Sequence, residues 1–117
     1  METNTIEKTT IEVQPSLEEL KEKVIEAIKK IYDPEIPVNI YELGLIYDIE
    51  VTSSYEVVIL MTLTAPNCPE AEYITVQVEF DVKRIPDVKD VKVILTFEPP
   101  WEKDRMSEDA KMILGIF

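Results

Sequence analysis

The chain has 117 residues, enough for one small domain with its own core. Its 24 acidic and 12 basic side chains give a net charge of -12, which excludes nucleic acid as a partner because phosphate binding requires clustered Lys and Arg. No apolar run approaches the roughly 20 residues that cross a bilayer, and the first residues lack the pattern of a secretory signal. We therefore expect a cytoplasmic protein, in a reducing compartment where a free thiol survives.

The first residues and the first helix are distinct in composition. Residues 1–15 are rich in Thr and Glu, and we expect a mobile arm there, followed by a single domain over 16–117. Ser16 and Glu19 have the spacing of a capping box. Apolar side chains then recur every three or four residues, at Leu17, Leu20, Val24, Ile28 and Ile31. This spacing predicts an amphipathic helix that covers a sheet.

The helix is expected to end near Tyr32, because Asp33 precedes Pro34 and a residue before proline disfavours helical geometry. The stretch 33–44 contains two prolines and one of the two glycines, which indicates a structured loop. This loop brings two carboxylates, Asp33 and Glu35, close together in sequence.

Two β-rich segments follow. Residues 45–52 and 55–64 are rich in β-branched and aromatic residues, and Ser53-Ser54 between them can form a two-residue hairpin connection. Thr62 and Thr64, near the end of the second segment, are more typical of strand residues than of ligands.

Residues 69–85 carry two competing patterns. Val76, Val78, Phe80 and Val82 alternate with polar residues as in a strand. On the other hand, one helical face collects Ala71, Ile74, Val78, Val82 and Ile85, and Pro69 suits the first turn of a helix. We predict a helix, in agreement with the family resemblance described below.

The last elements are a strand over 88–97, ended by Pro99-Pro100, and a short helix that Ser107 can cap and that runs through Leu114 to Gly115. The sequence therefore predicts an α+β two-layer sandwich with a three-stranded sheet, in the order helix, strand, strand, helix, strand, and a short C-terminal helix. Whether the last strand pairs with the first or the second stays open.

Cys68 is the single cysteine, and the chain has no histidine. One copy therefore cannot form a Cys-His dyad, a Cys₄ or Cys₂His₂ zinc site, or an intramolecular disulfide. If Pro69 is the first helical residue, Cys68 occupies the N-cap, where the helix dipole stabilises a thiolate. Glu70 and Glu72 oppose this effect. The structural alternative is a small buried apolar residue.

Three other positions could contribute to a site. Asp33 and Glu35 could bind metal or handle protons, although a carboxylate beside a proline is commonly a turn former. Arg105 can offer a bidentate fork to a carboxylate, in a structural or a functional contact. Trp101 is expected to cover the edge of the core rather than recognise a ligand.

Several blocks, taken together, have a familiar order. They are Asp33-Pro34-Glu35, residues 41–49, residues 61–69, Pro99-Pro100-Trp101, and Arg105-Met106-Ser107 with Leu114-Gly115. With these blocks the chain resembles the metal-sulfur cluster biosynthetic family, the SufT and PaaD-like group, over roughly 17–116. The resemblance implies an iron–sulfur cluster assembly domain fold and a role in maturing iron–sulfur proteins.

The resemblance also implies site residues. Cys68 matches the characteristic cysteine of the family, Asp33 and Glu35 match its acidic pair, and Thr64 and Arg105 lie in matching blocks, so all five are candidates for cofactor binding. The PaaD branch typically adds a cysteine-rich C-terminal extension, which this sequence lacks. We therefore expect the SufT-like branch.

An iron–sulfur cluster needs four ligands, usually thiolates, so one chain cannot hold it alone. Two copies in a homodimer would supply two thiolates, and carboxylates, small thiols or a client would supply the rest. We predict a carrier or targeting adaptor that delivers clusters or iron through Cys68, with a transient cluster or iron as cargo. The expected partners are SUF-type assembly proteins or a P-loop ATPase cluster carrier, and client apoproteins.

Other functions were weighed. The main alternative is a pure protein–protein adaptor in which Cys68 only packs and no metal binds. A thiol enzyme is disfavoured because the chain has no histidine to serve as a base, and we expect no enzymatic activity. RNA binding of the KH type is disfavoured because no GXXG loop occurs and the charge has the wrong sign.

Overall fold

The computed structural model describes residues 16–32, 36–64 and 71–115, with the side chains of residues 71 and 72 excepted. In these ranges the chain forms three α-helices, three strands and one 3₁₀ turn. They are α1 (Leu17–Ile28), β1 (Ile46–Val51), β2 (Glu56–Met61), α2 (Ala71–Lys83), β3 (Asp90–Leu95), the 3₁₀ turn (Lys103–Arg105) and α3 (Glu108–Leu114). The predicted arm over 1–15 lies outside the described residues.

The three described strands form one sheet in the order β1-β2-β3. β1 pairs antiparallel with β2, and β3 pairs parallel with β2 from Glu56↔Asp90 to Met61↔Leu95. The last strand thus pairs with the second, which settles the question that the sequence left open. α1 contacts β1, α2 contacts β3, and the two helices contact each other, so they share one face of the sheet. The predicted two-layer architecture is confirmed.

α1 begins as predicted and ends early. Its capping box is complete, because the Ser16 hydroxyl accepts from the Glu19 N–H at 3.1 Å and Glu19 Oε1 accepts from the Ser16 N–H at 3.0 Å. The helix ends at Ile28 rather than near Tyr32, so the predicted boundary was wrong. The Ile31 carbonyl accepts from the Ile40 N–H at 2.9 Å, which commits this backbone to the following loop instead of the helix.

α2 resolves the competing patterns in favour of a helix. Ile74, Val78 and Val82 are almost fully buried and face the sheet. Val76 and Phe80, which produced the strand-like alternation, lie on the outside and are each 61% exposed. The apolar residues of α2 therefore occupy two faces, one inside the core and one in contact with solvent.

The β1–β2 connection differs from the predicted two-residue hairpin. The Thr52 N–H donates to the Glu56 carbonyl, and the Tyr55 N–H donates to the Thr52 carbonyl, each at 2.9 Å. The turn thus spans residues 52–55, with Tyr55 at a left-handed φ of 64°. β2 ends at Met61, three residues before the predicted end of its segment.

The core lies between the two helices and the sheet. Its fully buried members come from α1, the loop before β1, β2 and α2, and include Leu20, Val24, Ile28, Ile40, Leu45, Val57, Ile59, Met61, Val78 and Val82. α3 begins and ends as predicted: the Ser107 hydroxyl accepts from the Ala110 N–H at 3.1 Å, and Gly115 takes a left-handed φ of 72°.

Candidate functional site

The sequence-predicted site residues fall into two groups. Cys68, Asp33 and Glu35 lie outside the described residues, and their roles stay predictions. Thr64 and Arg105 are described, and both are exposed. The structure therefore defines the site by the chain that leads into and out of these positions.

The segment 39–45, here called the anchor turn, is the local structure on which the site is built. The Asn39 side-chain oxygen accepts from the Glu42 N–H at 2.9 Å, and the Asn39 carbonyl accepts from the Leu43 N–H at 3.0 Å. Gly44 continues the chain at a φ of +82°, a conformation that favours glycine. Ile40, Leu43 and Leu45 are almost fully buried, so the turn is fastened to the core.

Both segments that carry predicted ligands depart from this anchor turn. Tyr32, which directly precedes Asp33, forms an isolated bridge with Asn39. At the end of β2, the Thr62 N–H donates to the Leu45 carbonyl at 2.8 Å, and the chain continues through Thr64 toward the cysteine. The anchor turn thus fixes the described residues that precede the acidic pair and the cysteine segment.

The C-terminal segment joins the same turn. The Trp101 indole N–H donates to the Leu43 carbonyl at 2.8 Å, and the Ser107 N–H donates to the Glu42 carbonyl at 2.9 Å. Trp101 is half-buried against the core, as predicted. The backbone of Arg105 lies so close to Gly44 that a Cβ there would meet the Arg105 carbonyl oxygen at 2.2 Å.

Arg105 also bounds a cleft at this end of the sheet. The cleft has a volume of about 440 Å³, and its lining residues are Gly44, Ile46, Tyr47, Leu60, Glu98, Pro99 and Arg105. The Arg105 guanidinium stacks 4.5 Å from the centre of the Tyr47 ring, and the Tyr47 hydroxyl donates to the Pro99 carbonyl at 2.7 Å. The sequence-based argument expected a carboxylate as the partner of this arginine, and among the described residues its partner is an aromatic ring. Tyr47 was missed because nothing in a sequence separation of 58 residues signals a stacking pair.

The two threonines of the β2 end differ in environment. Thr62 is fully buried, and its hydroxyl makes only a long contact of 3.4 Å with the Leu63 carbonyl. Thr64 is exposed at the point where the chain enters the cysteine segment. Thr62 is thus a strand-end residue of the core, whereas Thr64 is available to a ligand.

The described ranges hold no group of three or more His, Cys, Asp or Glu residues that could bind a metal ion. None of the helices within these ranges is both long and apolar enough to traverse a lipid bilayer.

Comparisons with known proteins place this geometry in a family. A family model described as iron-sulfur cluster assembly protein matches residues 21–94. The chain is 50% identical over 96 residues to an Fe-S protein maturation auxiliary factor of Porphyromonas gingivalis, covering 82% of this chain and 91% of that protein. It is 38% identical over 86 residues to the Fe-S protein maturation auxiliary factor SufT of Staphylococcus aureus, covering 74% and 98% respectively.

Two further matches extend the comparison to a structure and to a longer protein. The crystal structure of a domain of unknown function, DUF59, from Bacillus anthracis matches with a TM-score of 0.80 and 36% identity, covering 86% of this chain and 96% of that one. An iron-sulfur cluster carrier protein of Synechocystis is 34% identical over 97 residues, covering 80% of this chain and only 27% of that protein. The chain belongs to the iron-sulfur cluster assembly protein family, and the predicted resemblance is confirmed.

Proposed function

We propose that this protein is a non-enzymatic accessory factor of iron–sulfur protein maturation, a carrier that holds iron or a cluster through Cys68 and delivers it to apoproteins. The observation that carries the proposal is the anchor turn. Asn39 at one end of the turn is paired with Tyr32, the residue before the acidic pair, and Leu45 at the other end is bonded to Thr62, six residues before Cys68. A family role in cluster assembly supports the same assignment.

The chemistry follows from the ligands that the sequence offers. A cluster prefers four ligands, mostly thiolates, and each copy supplies one thiolate with Asp33 and Glu35 as oxygen ligands. Oxygen ligands bind iron of a cluster less firmly than thiolates do. Delivery is then ligand exchange: client thiolates replace the carrier ligands at iron, and the cluster moves with no change in its oxidation state.

Thr64 and Arg105 have supporting roles in this proposal. The exposed hydroxyl of Thr64 can donate a hydrogen bond to a sulfur of the cargo, a contact that tunes clusters in proteins. Arg105, held on the Tyr47 ring, brings positive charge to the same end of an otherwise acidic chain. A cluster with thiolate ligands is anionic, so this cation favours its retention.

The expected partners are SUF-type assembly proteins or a P-loop ATPase cluster carrier, together with client apoproteins. A domain of this kind forms about a quarter of the Synechocystis carrier protein, which supports a working association between the domain and a cluster carrier. We place the reaction in the cytoplasm and propose a homodimer, because a second copy supplies a second thiolate.

The test is anaerobic reconstitution with iron and sulfide, followed by visible absorption and EPR, with the mass measured by size-exclusion light scattering. Wild type is compared with Cys68→Ser and with the double variant Asp33→Asn/Glu35→Gln. The matched control is Glu22→Gln/Glu26→Gln, which removes two exposed carboxylates from α1. We expect a stoichiometric chromophore in wild type and control, its loss in Cys68→Ser, and less iron per chain in the acidic-pair variant.

A pure adaptor is the second candidate, and the exposed apolar face of α2 favours it. Its prediction is that Cys68→Ser retains maturation activity and partner binding while no cluster forms in either protein. A chromophore in wild type that is independent of Cys68 would contradict both candidates.

A further inference from the structure

α2 has a large apolar stripe on its solvent face. Tyr73, Val76 and Phe80 are 63%, 61% and 61% exposed, at helical positions that share one side. This side points away from the sheet, because Ile74 and Val78 on the other side are almost fully buried. A helix in a monomeric protein normally presents polar residues to water, so a stripe of this kind indicates a contact surface.

The stripe ends at a cation without a carboxylate. The Arg84 guanidinium lies 5.7 Å from the centre of the Phe80 ring, and within the described part of the chain it forms no ion pair. The neighbouring Lys83 is already paired with Asp90 at 3.3 Å. A groove of about 450 Å³ runs beside the stripe, lined by Val76, Glu79, Phe80, Lys83 and Arg84.

Area and charge favour a different protein over a second copy as the occupant. Aromatic side chains offer about 150–250 Å² each, so the three side chains expose on the order of 350 Å² per molecule, well below the about 800 Å² per partner of a stable interface. Two copies with a net charge of -12 each also repel one another. Small interfaces are typical of transient encounters, in which the partner leaves after transfer.

We propose that this stripe docks an amphipathic helix of a partner in cluster delivery, with apolar residues against Tyr73, Val76 and Phe80 and a carboxylate against Arg84. The inference rests on the proposed function and names its partner surface. Tyr73 follows Cys68 by five residues, so the docked helix lies at most about 18 Å of chain from the thiol. Apolar anchors at helical spacing with one charged contact are a common mode of helix recognition.

The probe is a synthetic helical peptide with leucines at three- and four-residue spacing and glutamates at both ends, titrated into the full chain and followed by NMR. The stripe variant is Val76→Ser/Phe80→Ser. Its control is Met112→Ser/Ile113→Ser, which removes two equally exposed apolar side chains from α3, 64% and 62% exposed. All four positions are exposed, so both variants should fold.

We expect peptide-induced shifts along the stripe, an affinity at least about tenfold weaker in the stripe variant, and no change in the control. Arg84→Glu should weaken the glutamate peptide and strengthen the same peptide with lysines. Absence of binding, or binding that ignores the Arg84 exchange, overturns the proposal.

Two other occupants are outcomes of the same experiment. Concentration-dependent dimerisation that the stripe variant abolishes would assign the stripe to a second copy and overturn the proposal. Peptide binding that requires removal of residues 1–15 would assign it to the chain itself, with the same consequence. Reconstitution of the stripe variant separates this inference from the proposed function, because a normal chromophore with failed docking refutes the docking alone.

Discussion

Gly44 should tolerate no side chain, because it combines a positive φ with a close contact. Alanine at a left-handed φ costs about 1–2 kcal/mol. A Cβ at this position would also lie 2.2 Å from the Arg105 carbonyl oxygen and 2.7 Å from its carbonyl carbon, both rigid backbone atoms. Contacts below 3.0 Å are essentially never found, so the 3₁₀ turn must move by about 0.8 Å.

That movement loosens the C-terminal segment from the anchor turn. The hydrogen bonds of Trp101 and Ser107 to the turn are each worth about 1 kcal/mol. We therefore expect Gly44→Ala to reduce the free energy of unfolding by about 3 kcal/mol, which lowers Tm by roughly 10–15 °C for a chain of this length. Urea denaturation and thermal melts followed by circular dichroism measure both quantities.

The second glycine is the matched control. Gly115 also has a positive φ, +72°, but an added Cβ there would meet nothing within 4 Å. Gly115→Ala should therefore cost only the conformational part, about 1 kcal/mol. If the two variants lose the same stability, the contact between Gly44 and Arg105 has no energetic weight, and the reasoning about the anchor turn is refuted.

Three further substitutions test separate contacts, each by urea denaturation. Trp101→Phe should destabilise by about 1–2 kcal/mol, because it leaves a carbonyl of the anchor turn without its donor. Thr62→Val should change stability by less than about 1 kcal/mol, since the hydroxyl makes only a 3.4 Å contact; a larger loss would reveal a partner in the cysteine segment. The pKa of Asp90 is held below 3.8 by the Val91 N–H and by Lys83, so the stability it adds is present above that pH and is lost as the pH falls through the lowered pKa. Asp90→Asn should accordingly be less stable than wild type at neutral pH and equal to it in strong acid.

Local patterns in the sequence predicted most of the fold. The capping box at Ser16 and the caps at Ser107 and Gly115 depend on neighbours within four residues, and all three are observed. The early end of α1 could not be predicted, because it depends on a bond between Ile31 and Ile40, across the loop. The parallel pairing of β3 with β2 is likewise a tertiary choice that no local pattern encodes.

The site was less predictable than the fold. The family resemblance selected the blocks, yet their meeting point, the anchor turn, depends on backbone bonds such as that between Ser107 and Glu42. The ring partner of Arg105 also depends on tertiary structure. In α2, the residues that argued for a strand, Val76 and Phe80, prove to be the exposed stripe. A misleading local signal thus marked a surface of functional interest.

Cluster delivery through the single thiol is the central claim, and a transfer assay tests it most directly. The reconstituted protein is mixed anaerobically with an apo-[4Fe–4S] enzyme, in the presence of a chelator that captures free iron, and the activity of the acceptor is followed with time. The account predicts rapid activation by wild type and by Glu22→Gln/Glu26→Gln, and activation no faster than with iron and sulfide alone for Cys68→Ser. Equal activation by wild type and Cys68→Ser would contradict it.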